Sequence, residues 1–235
     1  MKIEVLADVD AVARRAAEII AAQSRAAVAA RGSFTLAVSG GRTPWAMLRM
    51  LAVEQVPWHA VHLFQVDERV APSGDPDRNL THIKENLLSR VHLPPGRMHA
   101  MPVEEADLVQ AAARYADTLR AVAGSPPVLD VVHLGLGPDG HTASLVPDDP
   151  VLEVADVDVA PTMVYQKRRR MTLTLPTLDS ARCILWVVTG AEKVAMLERL
   201  RNGDPSIPAG RVRQERAVVL ADRAAVQPQE TQTQP

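Results

Sequence analysis

Short apolar runs alternate with longer amphipathic segments along the chain. Most of the short runs are continuous in Val, Ile, Leu and Phe, a pattern typical of strands that are buried on both faces of a sheet. They predict strands at residues 3–6, 34–38, 61–66, 129–134, 170–175, 183–189 and 218–220. Strands that alternate with helices in this way predict an α/β fold: a Rossmann-like, doubly wound, mostly parallel sheet with helices on both faces.

The amphipathic segments predict the helices between these strands. Apolar side chains recur at helical spacing after Asp8, which we expect to cap the first helix, and this helix should end near Gly32. A second helix is predicted to open at Thr43 and Pro44, with Thr43 as its N-cap. Further helices are predicted over residues 79–88, 104–123 and 191–201.

No linker or internal repeat divides the chain, so we expect residues 1–226 to form a single α/β domain. The tail at 227–235 is polar and contains two prolines, and we expect it to be disordered. A net charge of −2 and the lack of an evident apolar stripe favour a monomer.

Composition excludes several classes of protein. The chain of 235 residues has 26 Lys and Arg against 28 Asp and Glu, and only 3% of its residues are aromatic. We therefore expect no nucleic-acid partner, because excess positive charge and stacking side chains are both missing. The single cysteine, Cys183, excludes an intramolecular disulfide and fits a reducing, cytoplasmic compartment. Every apolar run is far shorter than the roughly 20 residues that span a bilayer, so we expect no membrane association.

Four of the predicted strands are followed by unusual chemistry. Ligands of doubly wound folds bind beyond the carboxyl ends of the strands, so these four segments should line one rim. In the first, S-G-G-R-T-P at 39–44, two glycines allow close approach of an anion to the backbone and to the following helix N-terminus. This segment predicts a phosphate or oxyanion site, although a tight turn with a good cap has the same pattern.

The second segment, D-E-R at 67–69, and the fourth, T-G-A-E-K at 189–193, supply charges. Arg69 suits a phosphate group and Asp67 a sugar hydroxyl, and a solvated charged loop is the alternative. Lys193 falls in the first turn of a helix, where a cation opposes the dipole unless an anionic ligand or Glu192 compensates it. Arg170 ends a basic run and adjoins a strand, so we expect it to point into the cleft.

The third segment, at 135–144, contains His141. It matches G-x-G-x-x-G, but Pro138 and the lack of a following strand with an acidic tip argue against a dinucleotide site. We expect a glycine-shaped turn that holds His141 at the start of a helix, where the dipole favours the neutral ring and a role as general base. Asp139 is placed to orient that ring. We expect structural roles for the other six of the seven histidines.

No metal-binding or nucleophile motif accompanies these segments. The chain has no H-x-x-x-H, no C-x-x-C, no Asp-rich loop and no G-x-S-x-G elbow. Cys183 lies in an apolar strand, which makes it a poor nucleophile. The segments together predict a small anionic substrate such as a phosphate ester, hydrolysed by activated water.

The four segments resemble, in order, those of the 6-phosphogluconolactonase family over roughly residues 36–193. The resemblance rests on S-G-G-R-T-P at 39–44, D-E-R at 67–69, G-L-G-P-D-G-H-T-A-S-L at 135–145, R-M-T-L-T at 170–174 and T-G-A-E-K at 189–193. It implies a fold shared with sugar-phosphate isomerases and deaminases and no cofactor. It also implies hydrolysis of 6-phospho-D-glucono-1,5-lactone to 6-phosphogluconate in the oxidative pentose phosphate pathway. Val146 departs from the family, which usually has an aromatic residue there, and we expect this to be a packing variation.

The resemblance further implies roles for individual residues. His141 would be the base that activates water, and Asp139 would orient its ring. The N–H groups around Gly40 and Gly41 are expected to stabilise the oxyanion. The residues expected to bind the phosphorylated sugar lactone are Gly40, Gly41, Arg42, Thr43, Asp67, Arg69, Arg170 and Lys193.

Two other functions stay open. Amino-sugar-phosphate deaminase/isomerases resemble this chain at the glycine turn and at D-G-H. They usually have a tyrosine in place of Arg69, however, and a glutamate shortly after the histidine, where this chain has A-S-L-V-P at 143–147. A non-catalytic sugar-phosphate sensor would carry a DNA-binding helix-turn-helix ahead of this domain, whereas only some 30 residues precede the glycine-turn strand.

Overall fold

A computed structural model of the chain describes residues 1–227. The strands are β1 (Lys2–Leu6), β2 (Phe34–Val38), β3 (Val61–Gln65), β4 (Asp67–Arg69), β5 (Met98–His99), β6 (Val131–Leu134), β7 (Val159–Pro161), β8 (Arg170–Leu173), β9 (Ile184–Val188) and β10 (Ala217–Asp222). The helices are α1 (Val9–Arg31), α2 (Arg42–Leu51), α3 (Asn79–Ile83), α4 (Leu108–Ala123), α5 (Leu175–Asp179), α6 (Val194–Arg201) and α7 (Arg223–Val226). A π-helical turn, Lys84–Leu88, continues α3, and a 3₁₀ turn, Ala191–Lys193, leads into α6. Most of the tail predicted to be disordered, from 228 to 235, lies outside the described residues.

Seven strands form a parallel sheet in the order β1-β10-β9-β6-β2-β3-β5. From β2 the chain winds outward to β3 and β5, and from β6 it winds in the opposite direction to β9 and β10. The strand order therefore reverses between β2 and β6, which is where doubly wound sheets bind ligands. The predicted fold class is confirmed.

Helices cover both faces of this sheet, and each face has its own apolar core. The helices α1 and α2 pack on one face, and α4, α5, α6 and α7 pack on the other. Successive side chains of β9 alternate between the two cores: Leu185 and Val187 join the first, whereas Ile184, Trp186 and Val188 join the second. This explains why the sequence of β9 is continuously apolar, since neither of its faces meets water.

A second sheet was not predicted. It has three antiparallel strands in the order β4-β8-β7 and is joined to the large sheet where Leu173 N donates to Val66 O at 2.8 Å. The segment Asp67–Arg69, for which a solvated charged loop is the alternative on sequence alone, forms β4. Its pairing with β8 sets Arg69 opposite Arg170, so two predicted site residues become cross-strand neighbours.

Local capping signals explain where the helices begin and end. The prediction for α1 is confirmed, because Asp8 accepts a hydrogen bond from Ala11 N at 2.8 Å and Gly32 ends the helix with φ 74°. The helix α4 was predicted to begin at residue 104, but it begins at Leu108. Asp107 caps this helix through Val109 N and Gln110 N, so the acidic residues before it lie outside the helix.

The start of α2 was also predicted wrongly. The helix begins at Arg42 and its N-cap is Gly41, with φ 130°. Thr43 therefore lies in the first turn, and its hydroxyl group shares a 2.7 Å hydrogen bond with that of Thr189 instead of capping the helix. The predicted strand at 170–175 ends at Leu173, because α5 starts two residues later with a proline in its first turn. Across residues 1–227, no helix combines the length and apolar composition needed to cross a bilayer.

Candidate active site

A cleft of about 230 Å³ lies at the carboxyl end of the parallel sheet. It is lined by Ser39, Gly40, Gly41, Asp67, Arg69, Asn79, Gly135, Leu136, Gly137, Pro138, His141, Ala143, Arg170 and Lys193. A hollow of about 450 Å³ adjoins it, shares Gly40, Gly41 and Lys193 with it, and extends past Arg42 and Thr43. Nine of the ten predicted site residues line this continuous depression. The tenth, Asp139, contacts the side chain of His141.

His141 is held by a tight turn that follows β6. Gly137 N donates to His141 O at 2.8 Å, and a Cβ on Gly137 would lie 2.1 Å from the Nδ1 atom of His141. Gly140 adopts φ 83°, which favours glycine. No helix follows in this segment, where Thr142 and Leu145 form an isolated bridge. The prediction of a helix start was wrong, so a helix dipole does not act on this ring.

Asp139 makes two contacts with His141. Its Oδ1 atom lies 2.5 Å from Nδ1 of His141 and 3.1 Å from the backbone nitrogen of the same residue. Burial acts to raise the pKa of Asp139, but the charge of His141 and hydrogen bonds from His141 and Tyr165 outweigh it and hold the pKa below its usual value. A carboxylate at Nδ1 selects the tautomer in which Nε2 carries the lone pair. Within residues 1–227, Nε2 of His141 has no hydrogen-bond partner.

Arg170 is buried in the wall of the cleft, with 3% of its surface exposed. Its guanidinium lies 5.0 Å from the ring centroid of Tyr165, and Nη2 donates to Gln166 Oε1 at 3.2 Å. Burial lowers the pKa of Arg170 from its usual value, and the charge of Asp67 partly offsets this. The guanidinium nevertheless stays protonated, as arginine does in proteins.

Asp67 is buried beside this cation. Its Oδ2 atom accepts a 2.6 Å hydrogen bond from Ser144 Oγ, and its Oδ1 atom lies 3.4 Å from Asn79 Nδ2. Burial raises the pKa of Asp67, although Ser144 and the two arginines act in the opposite direction. The sequence did not point to Ser144 or Asn79, because neither belongs to the same segment as Asp67.

Glu68 organises the wall from within the core. Its carboxylate is fully buried and accepts 2.8 Å hydrogen bonds from the backbone nitrogens of Arg69 and Asn79, with Arg78 Nε at 3.2 Å. Glu68 thereby fixes the start of α3 and brings the Asn79 side chain against Gly40. The sequence signal that could have revealed Asn79 was its position as the first residue of a predicted helix.

Lys193 closes the opposite side of the cleft. Among the described residues, no carboxylate lies within 4 Å of its ammonium group, so Glu192 does not neutralise it through an ion pair. The turn before it is held by Asp222, whose carboxylate accepts from Gly190 N at 3.0 Å. A cation without a partner beside the first turn of α2 is suited to an anionic ligand.

Three buried polar atoms at the cleft lack hydrogen-bond partners within residues 1–227. They are Ser39 Oγ, Asn79 Oδ1 and Arg170 Nε. Buried polar groups are nearly always paired, so a group of unpaired atoms around one cleft is typical of a functional site. The same part of the chain contains no cluster of three or more His, Cys, Asp or Glu side chains placed to hold a metal ion.

The sequence of the chain matches a known family from residue 7 to residue 221, through every element that builds this cleft. The model of that family is described as glucosamine-6-phosphate isomerases/6-phosphogluconolactonase. The chain belongs to this family. In an alignment of 240 positions its sequence is 38% identical to the 6-phosphogluconolactonase of Mycobacterium tuberculosis, and the alignment covers 95% of this chain and 96% of that protein.

Solved structures of the family have the same fold. A 6-phosphogluconolactonase from Thermotoga maritima superposes with a TM-score of 0.83 at 28% identity, covering 94% of this chain and 98% of that one. A monomeric glucosamine-6-phosphate deaminase also reaches a TM-score of 0.83, at 18% identity, over 97% of this chain and 100% of that one. The second likeness shows the fold alone. The fold thus accommodates two reactions, and the side chains of the cleft must distinguish them.

Proposed function

We propose that this chain hydrolyses 6-phospho-D-glucono-1,5-lactone to 6-phosphogluconate, the second step of the oxidative pentose phosphate pathway. Relatives named 6-phosphogluconolactonase, at 33–38% identity over most of the chain, support this activity. The observation that carries the proposal is the pairing of His141 with Asp139 at a cleft that also contains Arg69, Arg170 and Lys193. This set combines a base with cations for an anionic substrate.

His141 acts as the general base in this proposal. Its Nε2 atom takes a proton from water as the water oxygen attacks the lactone carbonyl carbon, and Asp139 stabilises the imidazolium that forms. The tetrahedral intermediate then collapses. The bond from the carbonyl carbon to the ring oxygen breaks, and the proton passes from His141 to that oxygen, which becomes the hydroxyl group of the product.

The two sides of the cleft bind different parts of the substrate. We place the phosphate where Lys193 meets the first turn of α2, because the N–H groups of Arg42 and Thr43 have no acceptor inside the helix. The lactone ring then lies towards His141, with its oxygens near Arg69 and Arg170. The N–H groups around Gly40 and Gly41 remain our candidates for stabilising the oxyanion.

The proposal includes the domain organisation, the oligomeric state and the location of the protein. We propose that residues 1–226 act as one domain, as a monomer in the cytoplasm. Light scattering after gel filtration would then give the mass of a single chain, and a dimer at micromolar concentration would contradict this part alone.

The deciding experiment is hydrolysis of freshly generated 6-phosphogluconolactone by the purified protein. The lactone opens spontaneously in water, so the uncatalysed rate must be subtracted. We expect a rate above background that is proportional to protein concentration and unchanged by a chelator. Glucosamine 6-phosphate serves as the counter-substrate, from which we expect no ammonia. Ammonia release without lactone hydrolysis would overturn the proposal in favour of a deaminase, and the absence of both activities would favour a sugar-phosphate sensor.

A further inference from the structure

The hydrogen bonds at His141 continue beyond Asp139. The hydroxyl group of Tyr165 donates to Asp139 Oδ2 at 2.9 Å, while Asp139 Oδ1 lies 2.5 Å from Nδ1 of His141. The ring of Tyr165 also packs edge-on against the imidazole, with ring centroids 5.5 Å apart and an angle of 65° between the planes. Each oxygen of the carboxylate therefore has one side-chain donor. Neither the motifs nor the spacing of the sequence indicated Tyr165.

We propose that Tyr165 is a positioning residue of the active site, acting through Asp139 on the general base and through Arg170 on the substrate. This inference rests on the proposed role of His141. A carboxylate with a single donor can rotate about its Cβ–Cγ bond, whereas one donor on each oxygen fixes its plane. Tyr165 thus fixes the orientation of the acceptor that in turn fixes the imidazole, as outer ligands orient catalytic and metal-binding histidines.

The same ring supports the buried cation. The guanidinium of Arg170 lies over the face of Tyr165, with Cζ 5.0 Å from the ring centroid, and the neighbouring Gln166 accepts from Nη2. A cation over an aromatic face is attracted by the ring quadrupole, most strongly where water is excluded. The hydroxyl group of Tyr165 therefore serves the base, and the ring serves the cation. The two roles can be separated by mutation.

A tight hairpin holds Tyr165 in place. Tyr165 N donates to Arg168 O at 2.9 Å, and Arg168 N returns a 3.2 Å hydrogen bond to Tyr165 O. The two residues between them, Gln166 and Lys167, have φ values of 49° and 69°, in the left-handed region where residues other than glycine are uncommon. Such backbone persists only where its surroundings hold it, and it is concentrated at functional sites.

Arg168 anchors the far side of this hairpin. Its guanidinium donates to Asp77 Oδ2 at 2.8 Å and to Asp75 Oδ2 at 3.2 Å, in the loop that precedes α3. The backbone oxygen of Asp77 in turn accepts from Arg69 Nη1 at 2.7 Å. The hairpin is thus connected to both arginines of the cleft, which is the arrangement expected of a positioning element and is unnecessary for a surface turn.

The test compares a substitution that removes only the hydroxyl group of Tyr165 with one that also removes its ring. In Tyr165→Phe the ring remains, so we expect kcat to fall about three- to tenfold with KM changed less than about twofold. In Tyr165→Leu the cation loses its aromatic support, so KM should rise as well. The matched control is Tyr115→Phe, which removes the same oxygen atom from a buried hydrogen bond to the backbone of Gln65. It should lower thermal stability and leave kcat unchanged.

Two further measurements distinguish positioning from a merely structural role. Without the Tyr165 hydroxyl, more of the charge on Asp139 faces the imidazole and favours its protonated form. The acidic limb of the kcat/KM profile should therefore move to higher pH in Tyr165→Phe. In an Asp139→Ala background, Tyr165→Phe should have no further effect on kcat, because the carboxylate through which it acts is gone.

The His141 ring also reports on Tyr165 independently of hydrolysis. Its NMR signal, assigned by its loss in His141→Ala, should move to a different chemical shift in Tyr165→Phe, because the carboxylate that orients the ring is no longer fixed. This measurement tests the inference even if the lactone is not the substrate. An unchanged His141 signal, with wild-type kcat and an unmoved pH profile in Tyr165→Phe, would overturn the inference.

Discussion

The side-chain oxygen of Asn79 occupies the space that a side chain on Gly40 would need. A Cβ on Gly40 would lie 2.0 Å from Oδ1 and 2.6 Å from Cγ of Asn79. Asn79 is not free to move aside, because its Nδ2 atom donates to Asp67 O at 3.0 Å and its backbone nitrogen donates to Glu68. The glycine turn after β2 and the start of α3 therefore share one packed contact at the floor of the cleft.

This contact predicts that Gly40→Ala is costly for both stability and binding. The methyl group must displace Asn79 or the glycine turn, and such overpacking typically costs about 1–3 kcal/mol of unfolding free energy. We expect a lower Tm and a KM raised about tenfold or more. Gly135→Ala is the matched control for stability, because a Cβ there meets no atom within 4 Å. Wild-type Tm and KM in Gly40→Ala would contradict the prediction.

Removal of the proposed base should abolish most of the turnover without unfolding the protein. His141 is partly exposed at the cleft, so His141→Ala leaves no large cavity in the core, and we expect a nearly unchanged Tm. Its kcat should fall about 100-fold or more, as is usual for a general base. His59→Ala, at an exposed histidine outside the cleft, is the control. A kcat for His141→Ala close to that of the control would mean that another group activates the water.

The proposed placement of the phosphate predicts different behaviour for two cations of the cleft. Lys193→Ala should raise the KM for the lactone and the Ki for inorganic phosphate together, by roughly 10- to 100-fold, because a charge-assisted contact is lost. Arg69→Ala should raise KM while leaving the Ki for phosphate near the wild-type value, because Arg69 faces the ring. If phosphate inhibition weakens in Arg69→Ala and persists in Lys193→Ala, the phosphate lies at the other end of the cleft.

Local patterns predicted six of the seven strands of the large sheet because their information is local, whereas β5, only two residues long, was missed. The capping residues Asp8 and Gly32 mark the start and the end of α1. The strand β2 is a continuous apolar run, which can be recognised without knowing its partners in the sheet. In the small sheet only β8 was predicted, within the strand at residues 170–175. Its strand β4 is three charged residues long and exists because it pairs with β8, about a hundred positions further along the chain. Pairing at that separation leaves no periodic trace in β4.

The residues of the cleft likewise fall into those that the sequence indicated and those that it did not. Segments that follow strands identified His141, Asp67, Arg69 and Lys193 as residues of one rim, because parallel strands bring their carboxyl ends together. Asp139, the neighbour of His141 in sequence, was also predicted. The more distant partners escaped notice, since Ser144 lies 77 positions from Asp67 and Tyr165 lies 26 positions from Asp139. Sequence patterns therefore revealed which groups meet the cleft, and only tertiary packing reveals what holds them there.

The buried histidine beneath the cleft predicts instability in acid. His133 is fully buried in β6, where Nδ1 accepts from Ser39 N at 3.3 Å, and burial lowers its pKa to about 3. In the unfolded chain its pKa returns to about 6.5, so between these values the unfolded state binds more protons and the free energy of unfolding falls as pH falls. From pH 7.5 to pH 5 this histidine alone should cost about 2 kcal/mol.

A difference measurement isolates this contribution. Urea unfolding of the wild-type protein and of His133→Gln, each at pH 7.5 and pH 5, should show a drop in unfolding free energy that is larger for the wild type by about 2 kcal/mol. Glutamine does not titrate, and its side-chain oxygen can still accept from Ser39 N. The pKa of His99 is also lowered by burial, to about 4, but His99 is present in both proteins and cancels. Equal drops in the two proteins would show that His133 is already hydrated or paired when it is protonated, so that its burial does not destabilise the fold in acid.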